Sequence, residues 1–250
     1  MRVAALAQRR VVECMGTVFS FDVRAPGVDH ATLDEAEQWL HWVDRTFSTY
    51  RTDSDVSRLR RGDCSLDDCA REVAEILAEC SRLAADTDGY FSAYATGSLD
   101  PSGLVKGWAI ERASDLLVSA GSTNHCVNGG GDVQCVGDAS PGQPWRVGIA
   151  DPAVAGAIAA VVVGTGVAVA TSGSAERGAH VIDPHTAAAP TALASITLVG
   201  RRLAMTDAYA TAAFAMGAAA RDWVEGLPAH QAFAVCADGT TWTTTGWGTP

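Results

Sequence analysis

The spacing of apolar positions in this chain changes several times, and each change predicts an element. From Val11 to Val23 apolar and polar residues alternate well enough for a strand, with Gly16 inside it. Thr32-x-x-Glu35 then has the form of a capping box, and Ala36, Trp39, Leu40, Val43 and Phe47 follow at helical spacing. Ser54 to Leu59 predicts a further helical turn. A second long helix is expected over 67–85, with Val73, Ile76, Leu77, Cys80, Leu83 and Ala84 on its buried face and Asp88-Gly89 ending it. Val105, Ala109, Ala113 and Leu116 predict another helix. Strands are expected around 126–135 and 145–149, and the valine-rich stretch 158–170 reads as strands about a turn at Gly164-Thr165-Gly166. Ile196–Val199 reads as a strand, Ala208–Met216 as a small-residue helix, and Phe233–Cys236 with Trp242–Thr245 as a hairpin around Asp238-Gly239. Strands and helices mix without regular βαβ spacing, so the expected class is α+β and not a doubly wound sheet. With no linker, charge run or internal repeat, one domain over 1–250 is expected.

Composition narrows the function classes. Hydrophobic residues make up 48% and charged residues 19% of the 250, which describes a globular protein with ample core. The formal net charge of −11 argues against nucleic acid or an anionic membrane surface as the main partner. An anionic ligand would have to be recruited locally, by a metal ion, helix N-termini or a few placed cations. The seven cysteines are odd in number and form no CxxC pair, so they read as small buried hydrophobes in a reducing compartment, and zinc is not expected. The first ten residues hold no apolar run of signal length, Glu13 before Cys14 does not suit a lipid-anchor site, and no stretch reads as a bilayer span. These features predict a cytoplasmic protein.

Lys106 is the only lysine in the chain, and it stands in Asp100-Pro101-Ser102-Gly103-Leu104-Val105-Lys106-Gly107-Trp108. Every other cationic side chain of the Lys/Arg type is an arginine, whose planar fork differs from the compact ammonium. Asp100 or Ser102 can cap the helix, and a cation beside bare amides suits an anion such as phosphate; a solvated lysine on a first turn is the other reading. Asn128-Gly129-Gly130-Gly131-Asp132 could let backbone approach a ligand and form an anion nest, or simply turn one strand into the next. In the segment from Thr171-Ser172-Gly173 to His180-Val181-Ile182-Asp183-Pro184, the hydroxyls and Arg177 supply donors. His180 there is either a structural histidine or a base for an attacking hydroxyl. Asp207 and Thr211 stand at i and i+4, on one face of a helix, where they suit a hard cation; a capping aspartate and a back-bonded threonine would explain them without one.

Taken in order, these segments resemble one family, the FAD:protein FMN transferases, also described as flavin transferases or thiamine biosynthesis lipoproteins. The resemblance runs over 12–217. It rests on Met15-Gly16-Thr17, Phe47-Ser48-Thr49-Tyr50-Arg51-x-x-Ser54, Asp100-x-x-Gly103-x-x-Lys106-Gly107 and Asn128-Gly129-Gly130-Gly131-Asp132. Trp145-Arg146-Val147-Gly148-Ile149-x-Asp151-Pro152, Thr171-Ser172-Gly173, His180-x-Ile182-Asp183-Pro184 and Asp207-Ala208-x-x-Thr211 continue it. It implies a single-domain, T-fold-like architecture and a Mg²⁺-dependent transfer of FMN from FAD to a threonine of an acceptor flavoprotein, with AMP leaving. Hydrolysis of FAD to FMN and AMP, or an FAD-binding module without turnover, are the alternatives. By resemblance Gly103, Asp207 and Thr211 hold Mg²⁺. Met15, Tyr50, Tyr90, Phe91, Ser92, Asp100, Lys106, Gly130, Thr171, Ser172, His180, Val181 and Ile182 line the FAD site, and His180 is the base. On this comparison Lys106 orients the flavin or adenine side, paired with a carboxylate such as Asp100. The chain departs from the family pattern at Ser92, where an aspartate is usual, at Ala210, where some members carry a further acidic ligand, and in its short connection from Phe91 to Asp100. Asp238-Gly239-Thr240-Thr241-Trp242-Thr243 loosely resembles an acceptor sequence, although a hairpin explains the same residues.

Overall fold

The computed structural model of the protein describes residues 7–174, 178 and 181–248. The first alternating stretch is two strands, β1 (Gln8–Cys14) and β2 (Thr17–Val23), paired antiparallel with Cys14 opposite Thr17. The chain reverses at Met15 and Gly16, both at positive φ (51° and 69°), as a two-residue hairpin matched to strand twist requires. Gly16 therefore sits in a turn and not within a strand.

Helix α1 (His30–Phe47) starts ahead of the capping box read at Thr32. Asp29 is the cap, its carboxylate accepting the Thr32 amide at 2.9 Å and the Thr32 hydroxyl at 2.8 Å. Ser54 caps the short α2 (Asp55–Arg61) by accepting the Ser57 amide at 3.0 Å. The helix expected from 67 begins later, as α3 (Arg71–Asp86), because 66–68 closes into a 3₁₀ turn held by Asp68 on the Ser65 amide and hydroxyl. Next come α4 (Ser102–Ser119), β3 (His125–Gly129), β4 (Asp132–Val136), β5 (Trp145–Ala150), β6 (Ile158–Gly164), β7 (Ala168–Gly173) and β8 (Leu193–Gly200). The chain ends with α5 (Leu203–Met216), α6 (Ala220–Glu225), β9 (Gln231–Cys236) and β10 (Thr241–Thr243).

Eight strands form one sheet in the order β1-β2-β3-β4-β7-β8-β9-β10, with every neighbouring pair antiparallel. This is the expected α+β class, with mainly antiparallel sheets and flanking helices. Alternation along the central strands divides two cores. Ala168, Ala170, Ile196, Leu198, Ala232 and Ala234 face the helices, while Val169, Phe233 and Val235 face the separate hairpin of β5 and β6 through Ile149 and Val162. The sheet is thus sandwiched, with α1, α4 and α5 on one side and a two-stranded flap on the other.

Helix α5 is apolar on nearly every side and buried, and α4 lies directly against it. Gly107 makes this approach possible. A Cβ built there would stand 2.7 Å from the Leu203 carbonyl oxygen and 2.7 Å from Asp207 Cβ. The Asp238-Gly239 segment turns β9 into β10, with Asp238 accepting the Thr240 amide and hydroxyl. The cysteines are free; Cys14, Cys80 and Cys135 are buried, whereas Cys64, Cys69, Cys126 and Cys236 are partly exposed, contrary to the reading of all seven as interior thiols. Among the described residues no helix is long and apolar enough to cross a membrane.

Candidate functional site

The site is assembled where the start of α4, the second turn of α5, the β3–β4 turn and the end of β7 meet. A cavity of about 600 Å³ opens there, within the usual size of small-molecule sites. Of the residues read from the sequence, Tyr90, Phe91, Ser92, Asp100, Gly103, Lys106, Gly130, Thr171, Ser172, Val181, Ile182, Asp207 and Thr211 all line it. They come from segments far apart in the chain and share one space. Met15 does not line it: it forms the β1–β2 turn and packs against the helical core. Tyr50 is 96% exposed and also stands outside the lining. His180 and Arg177 lie outside the described residues. Asp183, three residues after His180 in the sequence, accepts the His185 amide at 2.9 Å and the Thr186 hydroxyl at 2.9 Å within its own turn.

Lys106 is paired with two carboxylates, and neither is Asp100. Its ammonium meets Asp132 and stands 3.1 Å from Asp207 Oδ2. Asp100 instead accepts the Ser102 amide at 3.0 Å, serving the first turn of α4. Asp207 is not a helix cap: it lies inside α5 and accepts the Gly107 amide at 2.9 Å through Oδ2. Asp132 also fixes β7, accepting the Thr171 amide at 3.0 Å through Oδ1. Thr171 and Thr197 hydroxyls lie 2.8 Å apart across β7 and β8, and Ser172 Oγ is 3.5 Å from Thr211 Oγ1. Both glycine amides of the β3–β4 turn are already used, Gly130 donating to the Val18 carbonyl and Gly131 to Asn128 Oδ1. The segment acts as a turn bordering the cavity, and the anion-nest reading fails for these two amides.

The donor set fits a hard cation. Asp207, Thr211 and Ser172 supply oxygens, and Gly103 packs beside Thr211, whose Oγ1 would be 3.6 Å from a Cβ built at Gly103. Among the described residues no cluster of three or more His, Cys, Asp or Glu could enclose a metal, which excludes a cage made of such side chains alone. Mg²⁺ suits such a site, because it is commonly held by one or two carboxylates and completed by substrate phosphates and water. With Oδ2 of Asp207 given to Lys106 and Gly107, Oδ1 is the oxygen a cation would take.

Two motifs quoted from the sequence were given no site role there, yet both reach the cavity or its lysine. Asp132 closes the Asn128–Asp132 motif and was read only as part of a turn; its position one residue after Gly131, pointing off the first residue of β4, was the available signal. The end of β5 and the connection that leads to β6 also border the cavity, with Asp151 accepting the Ala153 and Val154 amides at 2.8 and 3.2 Å.

The model of the ApbE family matches this chain over residues 15–99 and 93–234. The chain belongs to the ApbE family. Among curated ApbE relatives, it is 32% identical over 203 residues to the FAD:protein FMN transferase of Rhodobacter capsulatus, a match covering 78% of this chain and 36% of that protein. It is 25% identical over 265 residues to the FAD:protein FMN transferase of Vibrio cholerae, covering 81% of this chain and 79% of the relative. The chain thus spans little more than a third of the Rhodobacter protein. Solved ApbE structures share the fold. The flavin transferase ApbE from Vibrio cholerae superposes with a TM-score of 0.82 at 20% identity, covering 96% of this chain and 98% of that one. The apo flavinyl transferase ApbE of Pseudomonas stutzeri gives 0.84 at 22% identity, with 97% of each chain covered.

Proposed function

We propose that this chain is a Mg²⁺-dependent FAD:protein FMN transferase, acting on a threonine hydroxyl of an acceptor flavoprotein. The observation that carries this reading is the meeting of Lys106, Asp207, Thr211 and Ser172 at one cavity of about 600 Å³. The acceptor oxygen forms a bond to the FMN phosphorus as the bond to the AMP phosphoryl oxygen breaks, and AMP leaves. Little covalent work falls to the protein in such a transfer, so positioning and charge stabilisation dominate. Mg²⁺, held by Asp207 and Thr211 with the Gly103 carbonyl, would neutralise pyrophosphate charge. Lys106 adds a positive charge at the same wall and bridges the two carboxylates, Asp132 and Asp207. Thr171 and Ser172 present hydroxyls to the cavity from β7. His180 is proposed to take the acceptor proton, and His180→Ala should stop transfer.

Incubation with FAD, Mg²⁺ and a candidate acceptor domain tests the reading. It requires a covalent FMN mass increment on the acceptor together with AMP. AMP and free FMN without the increment would identify a hydrolase, and intact FAD would exclude both reactions.

A further inference from the structure

Helix α5, which bears Asp207 and Thr211, has no side-chain cap of its own. Its first amides are satisfied from two other elements. The Leu203 N–H donates to Gln134 Oε1 of β4 at 3.0 Å, and the Ala204 N–H donates to Glu111 Oε2 of α4 at 2.9 Å. Both acceptors are held in place. Glu111 Oε1 receives Arg202 Nε at 2.8 Å, and Gln134 Nε2 donates to the Arg201 carbonyl at 3.3 Å and to its neighbour's carbonyl at Cys135 at 3.4 Å. Glu111 is 7% and Gln134 6% exposed, so neither bond has water as a ready substitute.

The placement of these two residues links them to the site. On α4, Lys106 and Gly107 contact Asp207, and Glu111 follows further along the same helix. On β4, Asp132 holds Lys106, and Gln134 stands two residues on, on the same side of the strand. Each element that touches Asp207 or its lysine therefore also grips the beginning of α5. A helix clamped at its first two amides cannot slide along its axis or rotate without breaking those bonds. Asp207 lies just one turn beyond the clamp.

We propose that Glu111 and Gln134 are positioning residues that fix the axial and rotational setting of α5, and through it the Asp207 carboxylate and the Thr211 hydroxyl. The link to metal affinity rests on the FMN transfer proposed above; the link to Asp207 geometry does not.

The Gly107 amide, which donates to Asp207, is a built-in reporter of that geometry. It can be followed by NMR in the full chain with neither flavin nor metal. In Glu111→Ala and in Gln134→Ala its proton should move upfield and exchange faster, while amides of β8 and β9 keep their protection. In the presence of FAD, the Mg²⁺ dissociation constant measured by calorimetry should rise roughly 10- to 100-fold in the Ala variants, the usual effect of losing an outer-shell support. FAD binding without metal should be unchanged. If Glu111→Ala does not fold, Gln134→Ala carries the same test. The proposal is overturned if the Gly107 signal stays in place in the folded Ala variants, or if they leave Mg²⁺ affinity unchanged where the wild type binds it. A displaced Gly107 signal together with a wild type that cleaves no FAD would uphold the positioning role and remove the proposed activity.

Discussion

Lys106 Nζ stands 3.1 Å from Asp207 Oδ2, the same oxygen that accepts the Gly107 amide. With Asp132 on its other side, the single lysine is a tethered counter-cation for two carboxylates that are nearly out of contact with solvent. Lys106→Met should therefore destabilise the protein by about 3 kcal/mol, the low end for breaking a buried pair, because the lysine side chain keeps 20% exposure. Mg²⁺ should then recover more stability than it adds to the wild type, since it would meet a carboxylate pair lacking its resident charge. Thermal denaturation with and without Mg²⁺ checks this; equal increments in both proteins would exclude competition for one carboxylate. Lys106→Arg should not restore the wild-type behaviour, because the wide guanidinium does not fit where an ammonium touches both acids.

Asp207→Asn separates charge from shape. The amide oxygen still accepts from Gly107, so the protein should fold, while turnover should fall on the order of 10²–10³-fold, as for loss of one preorganised stabilising group. AMP release measured against Mg²⁺ concentration is the readout. An unchanged Mg²⁺ dependence would remove Asp207 from the ligand set.

Gly107→Ala should damage stability and site together. The new methyl would meet the Leu203 carbonyl and Asp207 Cβ, backbone and short side chain that have little freedom to yield. Forcing α4 and α5 apart should cost about 1–3 kcal/mol, as overpacking generally does, and should weaken Mg²⁺ binding. A variant with wild-type stability in urea would show that the two helices tolerate separation.

His125 supplies a pH dependence unrelated to the site. It is fully buried between the Ser114 and Ser122 hydroxyls, each 2.8 Å away, and burial pushes its pKa down from 6.5 to about 4. The unfolded chain then binds the proton first, so the stabilising contribution is complete above pH 6.5 and is lost as pH falls toward 4. The full loss is about 3 kcal/mol. His125→Gln should flatten this limb of the stability profile. Urea midpoints taken across that window test it, and parallel slopes in the two proteins would assign the effect to other groups.

Most residues singled out in the sequence line one cavity, but their partnerships were harder to read. Asp207 and Thr211 could be placed together because helical spacing alone puts i and i+4 on one face, and Gly103 and Lys106 share a turn for the same reason. Which carboxylate Lys106 meets depends on the packing of α4 against α5 and β4, and the family comparison suggested a carboxylate such as Asp100 where the structure has Asp132 and Asp207. Strand and helix types were legible from periodicity, but ends were set by single capping contacts, as with Asp29 ahead of Thr32. The β1–β2 turn escaped notice because Met15 adopts a left-handed conformation that its side chain does not advertise.

The borrowed caps at the start of α5 also bear on the order of folding. Gln134 and Glu111 lie 69 and 93 residues before the amides they accept. An Ala-rich helix without local caps gains little from forming alone, and closing loops of this length carries an entropy that only later contacts repay. Helix α5 should therefore become ordered after α4 and β4 have docked. The meeting of Lys106, Asp132 and Asp207 would then form only once most of the sheet is assembled, so the geometry of this wall belongs to the completed fold and not to any local segment.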